Sequence, residues 1–196
     1  MLNEAVEEAG LNRVSAQKLL GKGGELKDGI GALVTRLTAP DLLEFVTAIE
    51  LPAIETFSAS DHFQVGTVDG VTIGWIGDNF RQAFLGKTET CVVSATLRVQ
   101  RLIKASVDAP IIAELGEAQV ETSLAHLWEL LKLQGHGQKG VLLTNGWAYI
   151  FYIKDAAGVL WAVYCDWDSV AGYWSVEAYP VAYPYRWDDG HWVVSR

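Results

Sequence analysis

Leu26, Ile30, Leu33, Val34 and Leu37 recur at i, i+4, i+7, i+8 and i+11, which lays one apolar stripe along a helix over residues 25–37. Gly29 and Gly31 each weaken that helix by about 1 kcal/mol, so it must draw stability from packing. Shorter helices are predicted at 4–8, stopped by Gly10, and at 11–20, ended by Gly21-Lys22-Gly23-Gly24. Pro40-Asp41 opens a further short helix through Phe45. Residues 46–51 are ambiguous between a helix end and a strand, and 52–61 read as a connection. The longest predicted helix is 117–134, with Val120, Leu124, Leu127, Trp128 and Leu131 on one face.

Elsewhere the period is two. Residues 70–76 read as a strand entered by a turn at Asp69-Gly70. Asp78 is placed to cap a short helix over 79–85, closed by Gly86. In 90–103, Thr96, Arg98 and Gln100 alternate with Leu97, Val99 and Arg101, a strand with one wet face. Pro110 can start one turn of helix. The last third reads as an antiparallel meander. Residues 141–144 and 147–154 flank Asn145-Gly146, a hairpin signal, and further strands are predicted at 159–166, 173–179 and 191–195. In 147–154 both faces are apolar, with Trp147, Tyr149, Phe151 and Ile153 on one side and Ala148, Ile150 and Tyr152 on the other. Such a strand must be covered from both sides.

These elements predict an α+β fold. A helical N-terminal section, 1–52, precedes an α+β domain, 53–196, whose antiparallel β-meander of about four to five strands is covered by helices. The helices 25–37 and 117–134 are expected on one sheet face.

Composition sharpens the contrast between the two ends. Residues 1–60 hold nine acidic and five basic side chains but only two aromatics, whereas 141–196 hold six of the eight Trp and all seven Tyr. The net charge is −9, which argues against a general nucleic-acid binder and against docking on an anionic membrane. The longest uncharged run, 140–153, has 14 residues, short of the ~20 that a membrane-spanning helix needs. The acidic N-terminus does not read as a signal peptide, and the expected location is cytoplasmic, or intracellular as the product of a virus or mobile element. Cys91 and Cys165 read as buried free thiols.

Catalytic and cofactor signatures are weak. Gly135-His136-Gly137-Gln138-Lys139-Gly140 matches G-x-G-x-x-G, but it follows a helix and precedes a strand, the reverse of a dinucleotide site. It reads as a loop. There is no P-loop, H-E-x-x-H, C-x-x-C or G-x-S-x-G, so no catalytic residue, cofactor or metal is assigned. His126 reads as a half-buried or surface helix residue.

The aromatic concentration is the one feature that can mean a site. In one reading the rings are simply the core of the meander. In the other, those in turns form a platform, and the candidate binding residues are Trp167, Asp168, Tyr183, Tyr185, Trp187 and Asp188. The leading functional expectation is a non-enzymatic acidic protein that engages a protein partner, of inhibitor, immunity or accessory type. Two alternatives stand beside it. One is a carbohydrate-binding module or weakly marked glycan-active enzyme using the Trp/Tyr platform. The other is a homo-oligomeric structural protein that self-associates through helix 25–37.

Overall fold

The computed structural model describes residues 41–196, so the predicted helices at 4–8, 11–20 and 25–37 lie outside the described residues. Within 41–196 the elements run β1 (Leu43–Leu51), β2 (Ile54–Ser58), α1 (Ala59–His62), β3 (Gly66–Val68), β4 (Val71–Ile76), α2 (Asp78–Phe84), β5 (Thr88–Val92) and β6 (Ala95–Leu102). They continue with α3 (Asp108–Leu115), α4 (Glu117–Val120), α5 (Leu124–Lys132), β7 (Tyr149–Lys154), β8 (Leu160–Asp168), β9 (Tyr173–Pro180) and β10 (Trp192–Ser195). Eight strands form one sheet in the order β1-β6-β10-β7-β8-β9-β4-β3, and β2 pairs with β5 in a separate ribbon. The large sheet is mixed: β10 lies parallel to β7, and β4 parallel to β9.

This corrects the expected α+β fold of a helical front followed by a four- to five-strand antiparallel meander. Among the described residues the protein is mostly β, with five short helices. Only β7, β8 and β9 follow one another as an antiparallel meander. Residues 43–51, expected to be partly helical, are a strand because they pair along their whole length with β6. Glu44 lies opposite Arg101 and is ion-paired with it, and the Arg98 guanidinium sits 4.9 Å from the Phe45 ring centroid. The Asn145-Gly146 hairpin does not form either. The Gln134 side chain bonds Leu142 through its backbone N–H and its carbonyl, and the Tyr149 hydroxyl accepts the Leu143 N–H. Both hold residues 141–144 away from β7, whose free edge is taken by β10 instead. The predicted Asp69-Gly70 turn is present, with both residues at positive φ, and joins β3 to β4. Of the two thiols, Cys165 is buried but Cys91 is exposed, in a left-handed backbone conformation.

β7 is buried on both sides. On the first face Tyr149, Phe151 and Ile153 join Val163, Val176 and Val194 beneath Leu127, Trp128 and Leu131 of α5 and Phe80 and Phe84 of α2. On the second face Ile150 and Tyr152 join Leu102, Ala162 and Val193 against Ile111 and Leu115 of α3, Val120 of α4, and Trp187.

The helix expected over 117–134 is therefore two helices on opposite faces. The chain changes face at residues 121–123. Glu121 is extended, bridges in parallel to Tyr152, and is ion-paired with Lys154; the Thr122 N–H donates to the Tyr152 carbonyl. Ser123 then caps α5 by accepting the His126 N–H, and the Glu89 carboxylate accepts the N–H groups of Leu124 and Ala125. A break that exposes helix ends in the interior is stable only because these groups are satisfied.

His126, expected to be a half-buried or surface residue, is fully buried in α5, and neither ring nitrogen has a hydrogen-bond partner among the described residues. Burial, with the positive charge of Arg196 behind it, holds its pKa below the ordinary 6.5; the nearby Val93 backbone, then Glu89 and Glu129, oppose that. The unfolded chain thus takes up this proton before the folded one does. His126 leaves stability intact above pH ~6.5 and lowers it as the pH falls below that value. Replacing it by Leu removes one proton from the linkage. The expected result in urea unfolding followed by Trp fluorescence is that stability falls less steeply from pH 6.5 to 5 in His126→Leu than in the wild type, by up to about 1.4 kcal/mol per pH unit. Parallel slopes would exclude His126 as the acid-labile group.

Candidate functional site

The second face carries the polar chemistry, and alternation along the strands puts it there. On β8, Val163, Cys165 and Trp167 belong to the first-face core, so Tyr164, Asp166 and Asp168 lie on the second face. On β9, Trp174, Val176 and Ala178 are core, which places Tyr173, Ser175, Glu177 and Tyr179 beside them. The register sets Tyr164 opposite Glu177, Asp166 opposite Ser175, and Asp168 opposite Tyr173.

β4 adds a tryptophan. The β4–β9 register shifts between Ile73 and Trp75, so Gly74 is one residue too many. The bulge keeps Ile73 and Ile76 both in the core and brings Trp75 level with Ser175, 47% exposed. Gly74 is required: a Cβ there would lie 2.1 Å from Cγ of Tyr173, whose ring rests on the bulge. Trp75, Ser175 and Asp166 thus form one row across three neighbouring strands.

Next to this row stands a stack of tyrosines. The Tyr179 ring is stacked on Tyr164 (5.6 Å between centroids), Tyr183 (5.7 Å) and Tyr185 (4.8 Å). Trp187 closes the inner end, edge-on to Tyr164 at 5.3 Å and Tyr185 at 4.6 Å. Tyr183 forms the outer end and is 55% exposed. His191 lies between the Trp187 and Trp147 rings, and its Nδ1 accepts the Ala148 N–H. Burial lowers the His191 pKa, so the imidazole is neutral at pH 7.

The stack is anchored by a buried carboxylate. Asp108 Oδ1 accepts from the Trp187 indole N–H and the Tyr152 hydroxyl, each at 2.8 Å, while Oδ2 has no partner among the described residues. Burial raises the Asp108 pKa, and the two donated bonds act against that rise. Trp187 is also fixed by paired backbone hydrogen bonds with Ser106.

The candidate residues inferred from sequence divide between the faces. Trp167 is 7% exposed on the first face, packed edge-on against Trp174 and covered at Gly137. Trp187 is buried on the second face, so no one platform contains both indoles. Tyr183, Tyr185 and Trp187 are brought together through Tyr179. Asp188 is exposed, and its charge is felt at Tyr185 and His191. Asp168 is on the second face but its carboxylate closes the β8–β9 turn by accepting the Val170 and Ala171 N–H groups. Trp75, Tyr164, Asp166, Glu177 and Tyr179 lie outside the candidate binding set read from the sequence. Four of these follow from strand alternation once the core face is known; Trp75 depends on the bulge.

Burial sets the titration of this surface, which holds neutral hydroxyls beside a half-buried carboxyl. Burial, with Tyr179 beside it, pushes the Tyr164 hydroxyl well above its usual range, and burial also raises Tyr185. Burial, then the neighbouring Asp168, raises Asp166 to about 6. Among the described residues, no group of three or more His, Cys, Asp or Glu converges as a metal site. The chain matches no family model, no curated protein and no solved structure.

Two stability measurements probe this arrangement. Asp108→Leu strands two buried donors and is expected to cost about 2–4 kcal/mol in urea unfolding, with Asp108→Asn costing about 1. A neutral Asp108→Leu would show that the carboxylate does not hold Trp187. Asp166 has the opposite sign. Its folded pKa lies above the unfolded value near 3.9, so its ionisation destabilises the fold above pH ~6 and that cost fades as the pH falls towards 4. Asp166→Asn should therefore gain about 1 kcal/mol at pH 7, after allowance for its partial exposure, and nothing at pH 4. Equal effects at both pH values would mean that the carboxylate is fully solvated.

Proposed function

We propose that the protein is a non-enzymatic binding protein whose working surface is the second-face array of Tyr164, Tyr179, Tyr183 and Tyr185 with Asp166 beside it, and that its partner is a basic segment of another protein. The observation that carries the reading is the tyrosine stack. It is fixed at its inner end by Trp187 and Asp108 and reaches solvent at Tyr183. Rigid tyrosines lose little conformational entropy on binding and are common anchors of protein interfaces. Their ring faces attract cations, and the net charge of −9 steers a basic partner towards the chain. Among the described residues the Thr72 hydroxyl meets a base, His136 Nδ1 at 3.2 Å, but that exposed pair is not part of the tyrosine array, which is why binding is favoured over catalysis.

A sugar ligand is the second reading, favoured by the exposed Trp75 indole next to the hydroxyl of Ser175 and the Asp166 carboxylate. Calorimetric titration with hexa-arginine, hexaglutamate and a soluble hexasaccharide panel decides between them. The expected outcome is micromolar binding of hexa-arginine, weakened by salt and about tenfold by Tyr183→Ala, with no uptake of hexaglutamate. Saturable binding of a hexasaccharide with none of hexa-arginine would overturn the proposal in favour of the sugar.

A further inference from the structure

The row Trp75–Ser175–Asp166 allows a more specific statement, which rests on the reading of the second face as a site for a basic protein. We infer that this row is a notch for a single arginine side chain of the partner, its guanidinium laid on the Trp75 indole and hydrogen-bonded to the Asp166 carboxylate.

Ser175 makes the notch. It is the small residue between a large ring on one neighbouring strand and an acid on the other. Adjacent strands lie about 4.8 Å apart, so the backbones carrying Trp75 and Asp166 are about 10 Å apart across Ser175. That gap matches a planar group that stacks within about 6 Å of a ring centroid and donates a fork of hydrogen bonds to a carboxylate. A lysine ammonium, a strongly hydrated point charge, uses the ring and the acid less well.

Each wall is set by a local feature of its own strand. Trp75 faces solvent only because the Gly74 bulge turns it out of step with Ile73, and the bulge is filled by the Tyr173 ring. Asp166 is half-buried next to Asp168, and the influences on its carboxyl are burial and that second acid, with no donor or cation among them. Asp168 is already occupied by two backbone N–H groups and Glu177 by those of Phe80 and Ala178. Asp166 accepts no hydrogen bond among the described residues, so both of its oxygens are open to a partner.

The test is affinity for hexa-arginine and hexalysine, by calorimetry, in the wild type and in Trp75→Ala, Trp75→Leu, Asp166→Asn and Tyr183→Ala. Glu50→Gln, on the distant edge strand β1, controls for net charge, and urea midpoints confirm that each variant is folded. The expected result is tighter binding of hexa-arginine than of hexalysine, and a loss of about tenfold in each Trp75 variant and in Asp166→Asn. Glu50→Gln should change affinity less than twofold. The Trp75→Ala/Asp166→Asn double variant should lose less than the product of the two single effects, because both walls hold the same group. If Trp75 and Asp166 variants bind as the wild type does while Tyr183→Ala is weakened, the notch is wrong and the basic-partner reading stands. If the wild type binds neither peptide, both fall.

Discussion

The rest of the structure depends on the absence of a wet face on the strand Tyr149–Lys154. Five consecutive residues of it are buried, alternately towards the two sides of the sheet, so each side has to be roofed. The first roof is α5 with its row of Leu and Trp128. The second is assembled from α3, α4 and the segment around Trp187. One stretch of chain, 117–132, contributes to both, which is why it cannot remain a single helix. Its crossing point lies beside Tyr152, and β10 ends there: Val194 is the last of its residues paired with β7. Thr122 takes the next hydrogen bond along that edge, so the break continues the sheet's own pairing.

The same constraint produces the candidate site. Covering Tyr152 brings its hydroxyl, a buried donor, into the second-face core, and Asp108 answers it. The same oxygen accepts the Trp187 indole, which draws residues 179–191 across the sheet. Trp187 is then the fixed end of a stack whose other members, Tyr185, Tyr179 and Tyr183, are displaced progressively outward. A rigid, partly open aromatic array is thus a by-product of how the second roof is fastened. The acids reach the same surface by alternation on β8 and β9.

What was legible in the sequence is what local chemistry decides. The Asp69-Gly70 turn, the strands at 159–166 and 173–179, and the need to cover 147–154 on both sides could be read from turn residues and period two. The strand at 43–51 could not, because Phe45 and Val46 interrupt the alternation at a register shift and only pairing with β6 settles the segment. The break at 121–123 was hidden because Val120 and Leu124 keep helical spacing across it, although Thr122-Ser123 before Leu124 is a capping signal. The Asn145-Gly146 hairpin failed through two side chains, Gln134 and Tyr149, whose bonds to Leu142 and Leu143 no local pattern reports. Trp167 looked like a turn residue. It is the third member of the series Val163, Cys165, Trp167, and that parity already assigned it to the core side. The exposure of Trp75 was invisible, since a one-residue bulge reverses parity without changing composition.

The proposed notch also accounts for an otherwise unfavourable feature. A carboxyl raised to about 6 is still mostly ionised at pH 7, so the isolated protein holds a partly desolvated anion against its own stability. Removing such a group would strengthen the fold, and the proposed arginine would offset its cost in the complex. An arginine on Asp166 stabilises the ionised form, and linkage works in both directions. The bound cation lowers the carboxyl pKa by the same free energy by which ionisation tightens the complex. Above pH ~6 the partner meets an anion that is already formed. Below it, binding must first expel a proton, and affinity weakens in step. A sugar hydroxyl donating to the same carboxylate couples more weakly, because a neutral donor stabilises the ionised form less than a cation does.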